Sequence, residues 1–287
     1  MSIVWKIVLI TAVAGVGGTG LGGLVSSFFK TESGKTVSLL LGFAAGIMTS
    51  IVCFDLLAGA IDPDGTAARP GILTVIAGVI IGFVVIYLLN AAIDKRTNPE
   101  VSHIDRGHPK TADSLDELTH ANHYQHHVAA SARNTTSLFV AGLVMAAAIA
   151  LHNLPEGMVI GASFAKGSTD ELLSRSGIVM AVVIGLHNIP EGMAVAVPLM
   201  SGGMRPLKAI GVTALSGAPT IIGALIGYYL GTMSPLALSL SLSFASGAML
   251  YVVFGELLPE AILMWRSKMP AFSMLAGMLL GILIIYS

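Results

Sequence analysis

Residues 150–165 read ALHNLPEGMVIGASFA and residues 185–200 read GLHNIPEGMAVAVPLM. Each is an apolar run that carries one copy of a His-Asn-x-Pro-Glu-Gly hexapeptide, at 152–157 and again at 187–192. On a helix, residues four apart share a face, so His152 lies beside Glu156 and His187 beside Glu191. Two imidazoles and two carboxylates make a ligand set for a divalent metal ion. An ionisable side chain in hydrocarbon costs about 3 kcal/mol on insertion scales and is tolerated where it faces a bundle interior, a partner or an ion path. Two copies on neighbouring apolar runs decide the fold: these are membrane helices, and their polar faces meet inside a bundle.

Composition agrees with that setting. Of 287 residues, 54% are hydrophobic and 11% charged, against roughly 25% charged in an average soluble domain, and the mean hydropathy is +0.83. The first apolar run starts at Ile3 without a charged leader or a small-residue cleavage site, so it reads as a retained span. The single cysteine, Cys53, has no intrachain partner for a disulfide. A net charge of −1 with scattered Lys and Arg offers no basic stripe, which excludes nucleic acid as a partner.

About 20 apolar residues cross roughly 30 Å of hydrocarbon as a helix. Such runs fall at about 4–28, 38–60, 71–93, 136–163, 177–200, 206–231, 235–259 and 269–286, eight spans in a single transmembrane domain covering residues 1–287. Their connections are short except for 94–135, which holds six of the eight histidines. Lys and Arg favour the cytoplasmic ends of spans. With the N-terminus outside, Lys30, Lys35, Lys95, Arg96, Arg106, Lys110, Arg133, Arg205, Lys208, Arg266 and Lys268 all face the cytosol, eleven of fifteen. The expectation is a multi-pass cell-membrane protein with both termini external and the 94–135 loop cytoplasmic.

A second repeat appears at a constant offset of 201. LGFAAGIMTSIVCFDLLAGAI (41–61) and LSFASGAMLYVVFGELLPEAI (242–262) match at ten of twenty-one positions, and Asp55 aligns with Glu256. One copy is the second span and the other the seventh, so they cross in opposite senses, the inverted-topology pattern of secondary transporters. Asp55 then sits near the outer end of its span, and Glu256 with Glu260 near the inner end.

Pro155 and Pro190 cannot donate to the carbonyls of Leu151 and Leu186, and their rings crowd those carbonyls. Broken backbone survives in a membrane where it is buried in protein or lines a wet cavity, so both helices are expected to bend at an ion site. Gly157 and Gly192 allow neighbouring helices close. Asn153 and Asn188 lie three residues before the glutamates, where their amide oxygens are candidate ligands. Imidazole with carboxylate suits zinc, iron, manganese or cobalt better than calcium. Three alternatives use the same residues: a metal-selective channel, a haem protein with axial His152 and His187, and an intramembrane metalloenzyme, although the H-E-x-x-H string of the zinc peptidases is absent.

The paired HNxPEG motifs, the run ASGAMLYVVFGELLPEA at 245–261, and eight spans with a histidine-bearing loop after the third resemble the ZIP family of divalent metal transporters in its prokaryotic branch. The resemblance covers essentially the whole chain. It implies a 3+2+3 inverted-repeat bundle, a homodimer in the bilayer, and alternating access in which spans one, four, five and six move against the others. Zn²⁺, or Fe²⁺, Mn²⁺, Co²⁺ or Cd²⁺, would be transported toward the cytosol as substrate, with no prosthetic group and no enzymatic step. His152, Asn153, Glu156, His187, Asn188 and Glu191 become metal ligands. Asp55, Glu256, Glu260, Ser216 and Thr220 become pathway residues.

One departure stands out. Many members carry a glutamate in the sixth span, in a run like SGLAEPLGALIG; here residues 216–227 read SGAPTIIGALIG, and Thr220 takes the acid's place. One principal ion, balanced by Glu156 and Glu191, is therefore expected. In the long loop, His120, His123, His126 and His127 form an HxxHxxHH cluster that would bind metal weakly on the cytosolic side.

Overall fold

The computed structural model describes residues 2–28, 34–63, 70–97, 135–165 and 175–286. Among them, eight helices are long and apolar enough to cross a membrane: Ile3–Phe28 (span one), Ser38–Ile61 (two), Ile72–Ala92 (three), Gly142–Ala165 (four), Gly177–Ser201 (five), Pro206–Met233 (six), Pro235–Leu263 (seven) and Met269–Tyr286 (eight). The described residues contain no strand. Helices meet the demand that hydrocarbon makes, that every backbone N–H and C=O be satisfied within the segment. The protein is thus an all-α multi-pass membrane protein, with the eight spans where hydropathy puts them. His120, His123, His126 and His127 lie outside the described residues.

Span one packs on span five, four on six, two on eight, and three on seven. Exchanging spans one to three with six to eight, and four with five, carries each pairing onto another. The match extends to individual atoms. Gly22 abuts the carbonyl of Ile189, and Gly223 abuts that of Leu154; a Cβ at either glycine would strike that backbone. Ser38 Oγ donates to the Ala261 carbonyl at 2.5 Å, and Ser239 Oγ to the Ala60 carbonyl at 2.6 Å. Gly46 meets the Met274 carbonyl as Gly247 meets that of Val79. The inverted repeat seen at 41–61 and 242–262 thus runs through the whole bundle in a 3+2+3 arrangement, with spans four and five at its centre.

Irregular backbone falls in places the hexapeptides do not indicate. Thr135–Ala165 and Arg175–Ser201 continue as α-helix through Pro155 and Pro190, so the prolines sit within unbroken helices and do not divide them. A proline deletes one ladder bond and leaves the rest. Close packing of Gly157 on the Thr220 carbonyl and Gly192 on the Thr19 carbonyl holds each helix through it. The irregularities lie instead in the flanking spans. Val13–Gly17, Ile51–Leu56 and Val253–Leu257 are π-helical, and span six is divided into Pro206–Ser216 and Pro219–Met233. At the repeat offset the second and third π segments coincide to within a residue, and the first corresponds to the divide in span six. These are the elements that frame spans four and five.

Candidate metal centre

Glu156, His187 and Glu191 are wholly or almost wholly buried where spans four and five meet, and one ligand atom from each lies within 4.8 Å of the others. His187 Nε2 is 2.9 Å from Glu156 Oε1 and 4.0 Å from Glu191 Oε1. That leaves Glu156 Oε2 and both oxygens of Glu191 buried without a hydrogen-bond partner. Buried carboxylates are ordinarily paired or coordinate metal. Three partnerless oxygens converging with an imidazole in an apolar bundle fit a divalent cation of the kind that takes mixed nitrogen and oxygen ligands.

The fourth member of the expected set points elsewhere. His152 is buried, and its Nε2 is 2.7 Å from Glu256 Oε2 on span seven, at the π segment. The helical spacing that puts His152 on the face of Glu156 is correct, but a histidine side chain is long enough to turn toward a nearer carboxylate on another span. The second Glu256 oxygen is buried and partnerless.

The two asparagines form a separate knot. Asn153 Nδ2 donates to the carbonyls of Ile149 at 2.9 Å and Ser216 at 3.2 Å. Its Oδ1 accepts from Thr220 Oγ1 at 3.0 Å and from Asn188 Nδ2 at 3.3 Å, and the latter also reaches the Ala14 carbonyl. In an unbroken helix the Ser216 carbonyl would accept from the Thr220 amide; at the divide that amide goes to Gly217 instead, which frees Ser216 for Asn153. Asn153 therefore has its oxygen doubly occupied, whereas Asn188 Oδ1 is buried and partnerless. Ser216 and Thr220, taken from the sequence as pathway residues, belong to this knot. Ser216 Oγ donates to the Thr213 carbonyl.

Asp55 is half-buried on the π segment of span two, and Glu260 half-buried one turn beyond Glu256. No motif in the sequence marks a site residue on span one, yet Ala14 and Thr19 line the centre from that side. The signal was present: Thr19 and Gly22 match Thr220 and Gly223 at the same offset of 201.

A family model described as ZIP zinc transporter matches residues 2–287. The chain belongs to the ZIP family. Members are transporters, so the protein is not an enzyme and the metalloenzyme reading falls; metal is the substrate of a ZIP protein and not its prosthetic group. Similar relatives include the zinc transporter ZupT of Corynebacterium glutamicum, 32% identical over 91% of this chain and 90% of that protein. The zinc transporter ZIPB of Bordetella bronchiseptica is 32% identical over 86% of this chain and 70% of its own length. ZupT of Akkermansia muciniphila is 32% identical over 95% and 93%.

Proposed function

We propose that this ZIP protein carries divalent transition-metal ions, Zn²⁺ foremost, across the cell membrane toward the cytosol by alternating access, with the ion held by Glu156, His187 and Glu191. The observation that carries this is the set of partnerless buried carboxylate oxygens beside His187 at the centre of an inverted repeat. His152 and Asn188, whose Nδ1 and Oδ1 respectively are buried and partnerless, complete the ligand shell as the ion arrives or leaves. Asp55 serves the outer mouth; Glu256 and Glu260 serve the inner one. Charge neutralisation favours one ion: two carboxylates balance one dication, and a second close by would be repelled with little compensation. The Asn153–Thr220 bond supports the same count, because it occupies the oxygen a second ion would need. Both termini external, a cytosolic 94–135 loop with a weak metal site at His120, His123, His126 and His127, and a homodimer in the bilayer belong to the same reading.

The test is metal uptake into vesicles reconstituted with the purified protein, with Zn²⁺, Fe²⁺, Mn²⁺, Co²⁺ and Cd²⁺ in competition. Saturable zinc uptake that the other ions inhibit is expected. Flux that rises linearly with concentration, with no competition, contradicts a carrier with one central site.

A further inference from the structure

The bundle follows its inverted repeat in its span pairings, its glycine contacts and the Ser38 and Ser239 bonds, and departs from it at the asparagine pair and at the histidines. Under the exchange, His152 corresponds to His187, Glu156 to Glu191, and Asp55 to Glu256. His152 is bonded to Glu256 at 2.7 Å. The corresponding bond, His187 to Asp55, is not made: His187 is bonded to Glu156 at 2.9 Å. Nor is the counterpart of that second bond, His152 to Glu191. Two chemically equivalent histidines thus hold two inequivalent partners, one reaching outward to a flanking span and one turned in to the ligand carboxylates. Asp55 stands on a π segment that coincides to within a residue with that of Glu256 at the repeat offset, and no side-chain partner for it exists among the described residues.

An inverted repeat with unequal halves has a second arrangement in which the halves trade conformations, and that arrangement opens to the opposite side of the membrane. We infer that the two histidines exchange partners during transport. In the opposite-facing state His187 bonds Asp55 while His152 turns in to Glu191, the mirror of what is seen here. Asp55 and Glu256 are then alternative docking acids, each holding one state. The inference rests on the alternating access proposed above and adds the residues that define its two ends. Each histidine leaves the ligand carboxylates on one side of the membrane only, so the coordination of the ion differs between the two faces.

The experiment reads the two states directly. Leu207 at the start of span six and Phe272 at the start of span eight are exposed, on the same face of the membrane, in the two groups of spans that would move. Spin labels at Leu207→Cys and Phe272→Cys, in a Cys53→Ser background, give a distance distribution with one component per state. Asp55→Asn should enrich the component of the structure described here, and Glu256→Gln should enrich the other, each by about tenfold, the scale of one charged hydrogen bond. The double variant should return the ratio toward wild type, because the two substitutions act on opposite states. Two components that both variants shift in the same direction, or that Asp55→Asn leaves unmoved, overturn the exchange while leaving alternating access standing. A single component in every protein, with and without Zn²⁺, overturns alternating access and the exchange with it.

Discussion

Glu191 is the residue on which the chemistry weighs most, since both of its oxygens are buried and partnerless while Glu156 has at least one bond to His187. A group kept in that condition costs stability and repays it only when the ion is bound. Two consequences follow from the same cost. Glu191→Ala and Glu156→Ala should each cut zinc uptake by about 100-fold or more, above the range for groups that merely support a metal ligand, with the protein still inserted. Glu191→Gln should abolish uptake as well and yet raise the thermal midpoint of the metal-free protein, by about 2–4 °C for each kcal/mol recovered. Uptake by vesicles and melting in detergent with a chelator check the pair. Thr220→Glu replaces the hydroxyl that holds Asn153 with a third carboxylate; metal counting on protein with the loop histidines removed should rise from one ion toward two. Of this centre, the sequence made the carboxylates and His187 legible, because spacing on a helix decides which side chains share a face. It did not reveal that His152 turns to Glu256 or that Asn153 spends its oxygen on Thr220 and Asn188, since both depend on which spans are neighbours.

At the scale of elements, hydropathy located each span because membrane thickness sets helix length. Helix regularity was not legible in the same way. The hexapeptide prolines are the visible candidates for interruption, yet both helices run through them. The π segments and the divide in span six lie in stretches with no comparable mark beyond Gly217 and Pro219, because an extra residue in a helical turn is stabilised by tertiary neighbours, not by local propensity. Contact between spans four and six, and five and one, depends on the absence of side chains at Gly157 and Gly192. Gly157→Ala and Gly192→Ala should each destabilise the protein by about 1–3 kcal/mol, the usual range for overpacking, and by similar amounts, since the two sites correspond under the repeat. Thermal melting of the two variants measures both statements; a large effect at one position and none at the other would deny that equivalence.

For the whole molecule, the internal repeat organises everything else. In sequence the repeat is plain at spans two and seven and at the doubled hexapeptide of spans four and five, and thin at spans one and six, where Thr19/Thr220 and Gly22/Gly223 carry it through an apolar alphabet that dilutes identity. In three dimensions the same relation recurs in span pairings, glycine contacts and the Ser38 and Ser239 hydrogen bonds. The proposed orientation rests on the placement of basic residues, eleven of fifteen of which fall on one side when the N-terminus is outside. A cysteine at Ser2, with Cys53→Ser, should react with a membrane-impermeant maleimide added outside intact cells; reaction only after the membrane is opened would reverse the topology and exchange the roles given to Asp55 and Glu256. In the proposed mechanism a transported divalent ion sits between spans four and five. Anomalous scattering at the zinc absorption edge from crystals of the zinc-loaded protein tests it most directly. One ion within coordination distance of Glu156, His187 and Glu191 is predicted, and zinc bound only elsewhere, with no scattering between those three side chains, would contradict it.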